Sequence, residues 1–398
     1  MNIIKMKLKK RVCPSCGSKK NEQFYKKKNF YRIDAKGKIY VRDNIYVSCK
    51  NCLLVYQNPH LDPKEFNKIY ENTVIGTVFE NTNKSKIHYR YFSKNISKSL
   101  LSKNKKLLEI GCATGTLLKN ISINYKLKKK NILGIEPSKI LFKQLRNNKY
   151  FLIKNTFIEN LKEEKKFDFI IMDNVFEHLD YPNKDLKKIY NLLSNKGYLY
   201  ISIPNIMKTN FHLTDPLNHT CNYNEYTVRK IFSDNGFSIK KINLQSKWIN
   251  FVAQKKIIKK RSGTKLFNKI TNKLEKVKKI LQKNEKISFM FYKRLKQIEK
   301  DIKKNNYKIV LFGASNYALE IISRMNIKKN VICLVDSNKI YHNKKRLGFN
   351  VVSPKELVNI NFDKILIASH KFVHEMVSTI LKLKIGYKKI VKLAVKVN

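Results

Sequence analysis

Four cysteines are spaced for metal chemistry. Cys13-Pro-Ser-Cys16-Gly and Cys49-Lys-Asn-Cys52 each put two thiols on one tight knuckle, and 32 residues separate the pairs. Four thiolates suit a closed tetrahedral Zn²⁺ site with no open position for a substrate, so the implied metal is structural. The competing reading is four unrelated thiols, like Cys112, Cys221 and Cys333, which stand singly. A second constellation is Leu107-Leu108-Glu109-Ile110-Gly111-Cys112-Ala113-Thr114-Gly115, an apolar run entering a glycine-containing turn, with Glu136 placed 21 positions after Gly115. Gly111 and Gly115 allow backbone to approach a ligand, and Glu136 can accept two hydrogen bonds from ribose hydroxyls, which points to an adenosine-containing ligand. A helix start at this place would favour a carboxylate or phosphate. Taken alone, such a turn can equally be structural. A third turn, Gly313-Ala314-Ser315-Asn316, is followed by Asp336. Its single glycine argues against an independent nicotinamide dinucleotide site. It reads either as a structural turn or, with nearby lysines, as a hold for a nucleotide diphosphate through Gly313, Ser315 and Asn316.

The elements that must position these groups are legible as alternating patterns. From about 105 to 253, the apolar runs KKLLEIG, NILGIEP, FDFIIMD and YLYISIP alternate with amphipathic stretches, which predicts an α/β fold with a parallel sheet and crossover helices. FSIKKINLQSKWINFVAQKK reads as two adjacent strands, hence an antiparallel hairpin at one sheet edge. Residues 1–75 form a module of short strands around the cysteines, with the long spacer absorbed by a pair of hairpins. Residues 76–254 hold the first α/β domain. Residues 255–306 form a basic helical connector with Leu266, Ile270, Leu274, Val277, Leu281, Phe291, Leu295 and Ile298 at helical spacing. Residues 307–398 restart the alternation as a second, smaller open α/β domain, in which Ser353, Pro354 and Glu356 spell a capping box.

The length of 398 residues excludes a single small module, and 42% hydrophobic residues with 12 Gly and 8 Pro exclude extensive disorder. The formal net charge of +55 would suit a polyanionic partner. Lysine far outnumbers arginine, however, and is spread along the chain with abundant Asn and Ile, as an AT-rich genome would dictate. Bidentate base or phosphate recognition favours clustered Arg, and no specific nucleic-acid partner is expected. No run of 18 uncharged apolar residues occurs. The basic start lacks a following apolar segment, and the cysteine usage fits a reducing compartment, so a cytoplasmic location is expected.

In combination, LLEIGCATGTLL, ILGIEPS, FDFIIMDNVFEHLDYP and GYLYISIPN resemble, in order, the motifs of class I S-adenosylmethionine-dependent methyltransferases. The resemblance implies a Rossmann-like domain with a seven-stranded sheet. It also implies that Glu109, Gly111, Ala113 and Gly115 line the cofactor, Glu136 its ribose, Thr156 and Phe157 the adenine, and Asp173 and Asn174 the sulfonium end. The cysteine segment with CLLVYQNPHLDPKEFNKIY resembles the zinc-ribbon-like module fused to methyltransferases of sugar and surface-polysaccharide pathways. The order KIVLFGASNYALEII, VICLVDSN, VVSPKEL, DKILIAS resembles the C-terminal domain of sugar C-methyltransferases acting on nucleotide-linked deoxysugars. The acceptor so implied is a nucleotide-sugar or glycan precursor. An RNA methyltransferase and a zinc-bearing binding protein without catalysis stay as alternatives.

Methyl transfer to a hydroxyl or carbon acid needs an aligned acceptor and a proton acceptor. His178, in Glu177-His178-Leu179, follows the fourth strand. His219 follows the fifth, where the resembling C-methyltransferases carry a base histidine, and Tyr223 lies four residues on. His219 is the leading base, with His178 and Tyr223 behind it, and His212 reads as an ordinary loop residue.

Overall fold

The computed structural model describes residues 3–5, 8–33, 39–71, 82–96, 100–208, 219–255, 264–346, 348–369 and 372–393. The chain divides into two compact units. One comprises residues 6–29 and 43–281, the other residues 1–5, 30–42 and 282–398.

The first unit is built on a seven-stranded sheet in the order Phe237–Asn243, Trp248–Lys255, Leu193–Pro204, Phe167–Asp173, Leu107–Ile110, Ile132–Ile135, Leu152–Lys154. Neighbours are parallel except around Trp248–Lys255, which runs antiparallel to both of its partners. The expected edge hairpin is therefore present, and its second strand is inserted one place inward. Strands such as Leu107–Ile110 and Ile132–Ile135 are buried at every position, as a sheet covered on both faces requires. Their apolar side chains divide between two clusters: Leu108, Ile110, Ile170 and Ile201 in one, Leu107, Phe169, Ile171 and Tyr200 in the other. The order reverses beside Leu107–Ile110, so the crevice outside the carboxyl ends of these central strands is the binding position of such sheets.

Both cysteine pairs belong to the same compact unit, whereas residues 1–5 and 30–42 of the module fall in the other. The spacer between the cysteine pairs is taken up by one long hairpin, Asn21–Ile33 with Ile39–Cys49, and not by the expected pair of hairpins. Strand Val55–Gln57 extends that sheet, and the short strand Cys221–Asn222, just after His219, pairs antiparallel to it through Cys221 with Tyr56 and Asn222 with Val55.

The helix Thr264–Lys304 contains the residue 281/282 boundary. Its apolar stripe is used at both ends: Ile270, Leu274 and Leu281 pack with Phe24, Tyr46 and Leu53, whereas Leu295, Ile298 and Ile302 join a core with Ile309, Leu311 and Ile321. The second unit holds a six-stranded sheet in the order Lys345–Arg346, Phe349–Val352, Val331–Val335, Ile309–Phe312, Lys364–Ile367, Ile390–Lys392. Only its first pair is antiparallel. Pro354 starts a helix as expected, with Ser353 N donating to the Glu356 carboxylate at 2.7 Å, but the helix Pro354–Asn359 is of the tighter 3₁₀ kind. Among the described residues no helix is long and apolar enough to cross a membrane.

Candidate functional site

The glycine turn leaves Leu107–Ile110 and enters the helix Thr116–Asn124. Gly111, Ala113 and Gly115 all adopt left-handed backbone, with φ of 71°, 47° and 68°. A Cβ on Gly111 would lie 2.6 Å from a Val175 methyl, and one on Gly115 would lie 2.4 Å from the Phe151 ring. Both glycines are thus demanded by the protein's own packing as well as by the backbone conformation.

Glu136 ends the adjoining strand and is 2% exposed. One carboxylate oxygen accepts from Ala113 N at 2.9 Å, the other from Ser138 N at 2.8 Å. The carboxylate braces the turn, and each oxygen keeps a lone pair for a further donor. Burial pushes its pKa up, against these two amides. Glu109 is buried beside it, with Oε2 lacking a hydrogen-bond partner. Burial, reinforced by Asp173 and Glu136, holds its carboxyl well above the usual range. Three carboxyl groups around one turn suit a cationic ligand. S-adenosylmethionine carries a sulfonium and an ammonium, so the residues present fit it.

Asp173 and Asn174 close the strand Phe167–Asp173, and two residues that sequence reasoning missed meet them. His88 Nδ1, from the helix Thr82–Asn95, lies 2.7 Å from Asp173 Oδ2, and Trp248 Nε1 donates to Asn174 Oδ1 at 2.9 Å. His88 and Trp248 also meet edge to face at 6.1 Å. Neither carried a local motif, because each reaches the site from an element distant in sequence. Thr156 and Phe157 lie in the loop after Leu152–Lys154, where Thr156 Oγ1 donates to Phe157 O at 3.1 Å and Phe157 meets Tyr70 edge to face.

The two histidines come together. His178 sits in the short helix Phe176–His178 and His219 in the segment after Leu193–Pro204; their rings are edge to face with centroids 5.0 Å apart. Glu177 joins them, with its carboxyl and the two imidazoles all within 4.8 Å of one another. Its side chain is buried, both oxygens lack a hydrogen-bond partner, and burial pushes its pKa up to about 8. Tyr223 is different: it is fully buried against Phe176, and burial holds its phenol well above the ordinary range. That placement makes it part of the core and a poor proton acceptor. His212 lies outside the described residues.

The cysteines form two matching knuckles. Gly17 N donates to Cys13 O at 2.9 Å and Leu53 N to Cys49 O at 3.0 Å; Gly17 and Leu53 are both left-handed. The knuckles bring Cys13 and Cys52 Sγ to 3.5 Å, Cys16 and Cys49 Sγ to 3.5 Å, and all four within 4.8 Å. Tetrahedral Zn–S bonds of about 2.3 Å put sulfurs about 3.8 Å apart, so the set fits that ion.

In the second unit, Gly313 (φ 124°) leads from Ile309–Phe312 into the helix Asn316–Met325. Asp336 accepts from Ala314 N and Asn338 N, each at 2.8 Å. Ser315 is the exposed N-cap of that helix.

Residues 85–242 match the methyltransferase domain family, and residues 305–391 match a family described as C2185-like, N-terminal. No curated protein matches significantly. Among solved structures, the chain is similar to a SAM-dependent methyltransferase from Thermotoga maritima, with 19% identity, 45% of this chain and 98% of that one covered, and a TM-score of 0.35. It is similar to magnesium protoporphyrin IX methyltransferase from Synechocystis at 17% identity, covering 50% and 94%, with a TM-score of 0.36. An S-adenosylmethionine-dependent methyltransferase from Clostridium acetobutylicum is similar at 14% identity, covering 44% and 98%, with a TM-score of 0.33. The family match falls on the same sheet, turn and acidic cluster that the geometry singles out, and residues 85–242 are thus a methyltransferase domain.

Proposed function

We propose that the chain methylates a nucleotide-linked sugar or glycan precursor, on carbon or oxygen, with His219 as proton acceptor. The observation that carries this reading is the meeting of His178 and His219 from the loops that follow two adjacent parallel strands. When bound, S-adenosylmethionine supplies a methyl carbon activated by the sulfonium. Gly111, Ala113 and Gly115 shape its cradle, Glu136 accepts from the ribose, Thr156 and Phe157 border the adenine, and Asp173 and Asn174, backed by His88 and Trp248, face the charged end. His219 takes the proton from the acceptor as its hydroxyl or carbon acid attacks, with His178 beside it to receive or return that proton. The cysteine cluster is assigned to one structural Zn²⁺.

The test is transfer of labelled methyl from S-adenosylmethionine to a panel of nucleoside-diphosphate sugars, including 4-keto-6-deoxy forms, and to transfer RNA. Transfer to a sugar, with the position read by NMR, supports the proposal; transfer to RNA alone overturns it. Metal analysis of protein purified without chelator should find about one zinc per four-cysteine cluster. Metal-free, fully folded protein would remove the zinc assignment.

A further inference from the structure

Arg11 stands two residues before the first cysteine knuckle, and its side chain is only 9% exposed. The guanidinium donates to three separate segments. Nε reaches Gln57 O at 3.1 Å, in the module's own strand Val55–Gln57. Nη1 reaches Asp180 O at 3.2 Å and Asp180 Oδ1 at 3.4 Å. Nη2 reaches Thr220 O at 3.0 Å. The group also lies over the Tyr56 ring at 5.5 Å, and the Arg11 backbone N donates to Asn58 Oδ1 at 3.0 Å.

The two distant acceptors are significant by position. Asp180 is two residues past His178, and Thr220 is the residue after His219. One rigid planar fork therefore fixes the backbone beside both histidines and ties it to the cysteine module. Tyr46 Oη donates to His219 O at 3.3 Å, so the module grips the second of these loops at a further point. Lysine could not replace this arrangement, because a single ammonium cannot serve acceptors spread around a planar fork.

We propose that Arg11 is a positioning residue for methyl transfer. It sets the mutual placement of His178 and His219, and so makes the intact cysteine module a condition of catalysis although the cysteines themselves do no chemistry. This inference rests on the reading of His219 as the proton acceptor. A displacement on the order of 1 Å in such a group costs about 10²-fold in rate.

The full chain is labelled with ¹⁵N-histidine, and imidazole correlation spectra are compared for the parent, Arg11→Lys and Arg11→Ala, with His178→Gln and His219→Gln for assignment. In both Arg11 variants the His178 and His219 signals are expected to move or broaden while those of His88 stay, and S-adenosylhomocysteine affinity should be unchanged. Added guanidinium should restore the two signals in Arg11→Ala and leave Arg11→Lys altered. With an acceptor identified, kcat should fall about 10²-fold and KM much less. Parental His178 and His219 spectra in either variant would overturn the proposal. If Arg11→Ala does not fold, Arg11→Lys, which keeps the charge, decides it alone. A parental rate in His219→Ala, with the spectra moved in Arg11→Lys, would remove the base assignment and leave the positioning role standing.

Discussion

Two strand-to-helix turns in this chain are braced in the same way. In the first unit Glu136 accepts from Ala113 N and Ser138 N; in the second Asp336 accepts from Ala314 N and Asn338 N, with bond lengths that agree within 0.1 Å. Each carboxylate ends the strand beside the turn and sews the two together. The brace is thus architectural, and an acid placed about twenty residues after a glycine does not by itself announce a ligand. What separates the turns is their surroundings. Around the first, Glu109 and Asp173 add to Glu136, and burial holds Glu109 far above its ordinary range. Among the described residues, buried side-chain atoms lacking a hydrogen-bond partner occur in the first unit, including those of Asn44, Glu109, Glu177 and Asn222, and none occur in the second. Buried polar groups are normally satisfied, and of these atoms Glu109 Oε2 adjoins the first turn, which therefore has an unmet acceptor at hand where the second has none among the described residues.

The largest expected effect is in chemistry, and it belongs to the first unit. His219→Ala should slow methyl transfer by about 10²–10⁴-fold while leaving S-adenosylhomocysteine affinity unchanged, since a positioned proton acceptor contributes that much and His219 does not line the cofactor. Single-turnover measurement with labelled methyl checks it. A rate near the parent's, with His178→Ala slow instead, would move the base to the loop after Phe167–Asp173.

The next tests the brace itself. Glu136→Ala should weaken S-adenosylhomocysteine binding by about 1.5–3 kcal/mol for each charged hydrogen bond lost, roughly 10-fold or more. Asp336→Ala removes an identical brace from the second turn and should leave that affinity unchanged. Calorimetry on both variants reads the contrast directly. Equal losses would mean that the braces matter only through general stability, and the distinction drawn between the turns would fall.

Much of this was legible in the sequence. Runs such as FDFIIMD and KIVLFG name their strands because a sheet covered on both faces needs continuous apolar residues, and the edge hairpin followed from two such runs without a helix between them. Strand Leu152–Lys154 was not legible: it is three residues long at the sheet edge, with Leu152 44% exposed, and the short run Tyr150-Phe151-Leu152-Ile153 does not by itself tell a strand from a helix end. Gly111, Glu136, Asp173 and the cysteines announce themselves by local spacing. His88, Trp248 and Arg11 do not, because their roles arise from contacts between elements 74 to 209 residues apart. Tyr223 looked chemical because it follows His219 closely, but the short strand Cys221–Asn222 and the Asn224 N-cap of helix Glu225–Asp234 carry its ring into the core.

The smallest effect concerns Glu177, a buried carboxyl of a kind the second unit lacks among its described residues. Its ordinary pKa of 4.5 is raised to about 8 in the fold, chiefly by burial. Between these values the native state keeps a proton that the unfolded chain has released. Stability then falls as pH rises, by up to about 1.4 kcal/mol per pH unit for one such group, and is level below the lower value and above the higher. Glu177→Gln keeps the shape and removes the titration, so the variant should gain on the parent as pH rises from 5 to 7 and lose no stability at pH 5. Urea unfolding of both proteins at pH 5, 6 and 7 measures the difference, in which all other titrating groups cancel. Parallel stability curves would show that Glu177 ionises alike in the folded and unfolded chains. A partner for its charge would then exist beside His178 and His219, and the buried carboxyl could no longer be counted among the unmet groups that set the first unit apart.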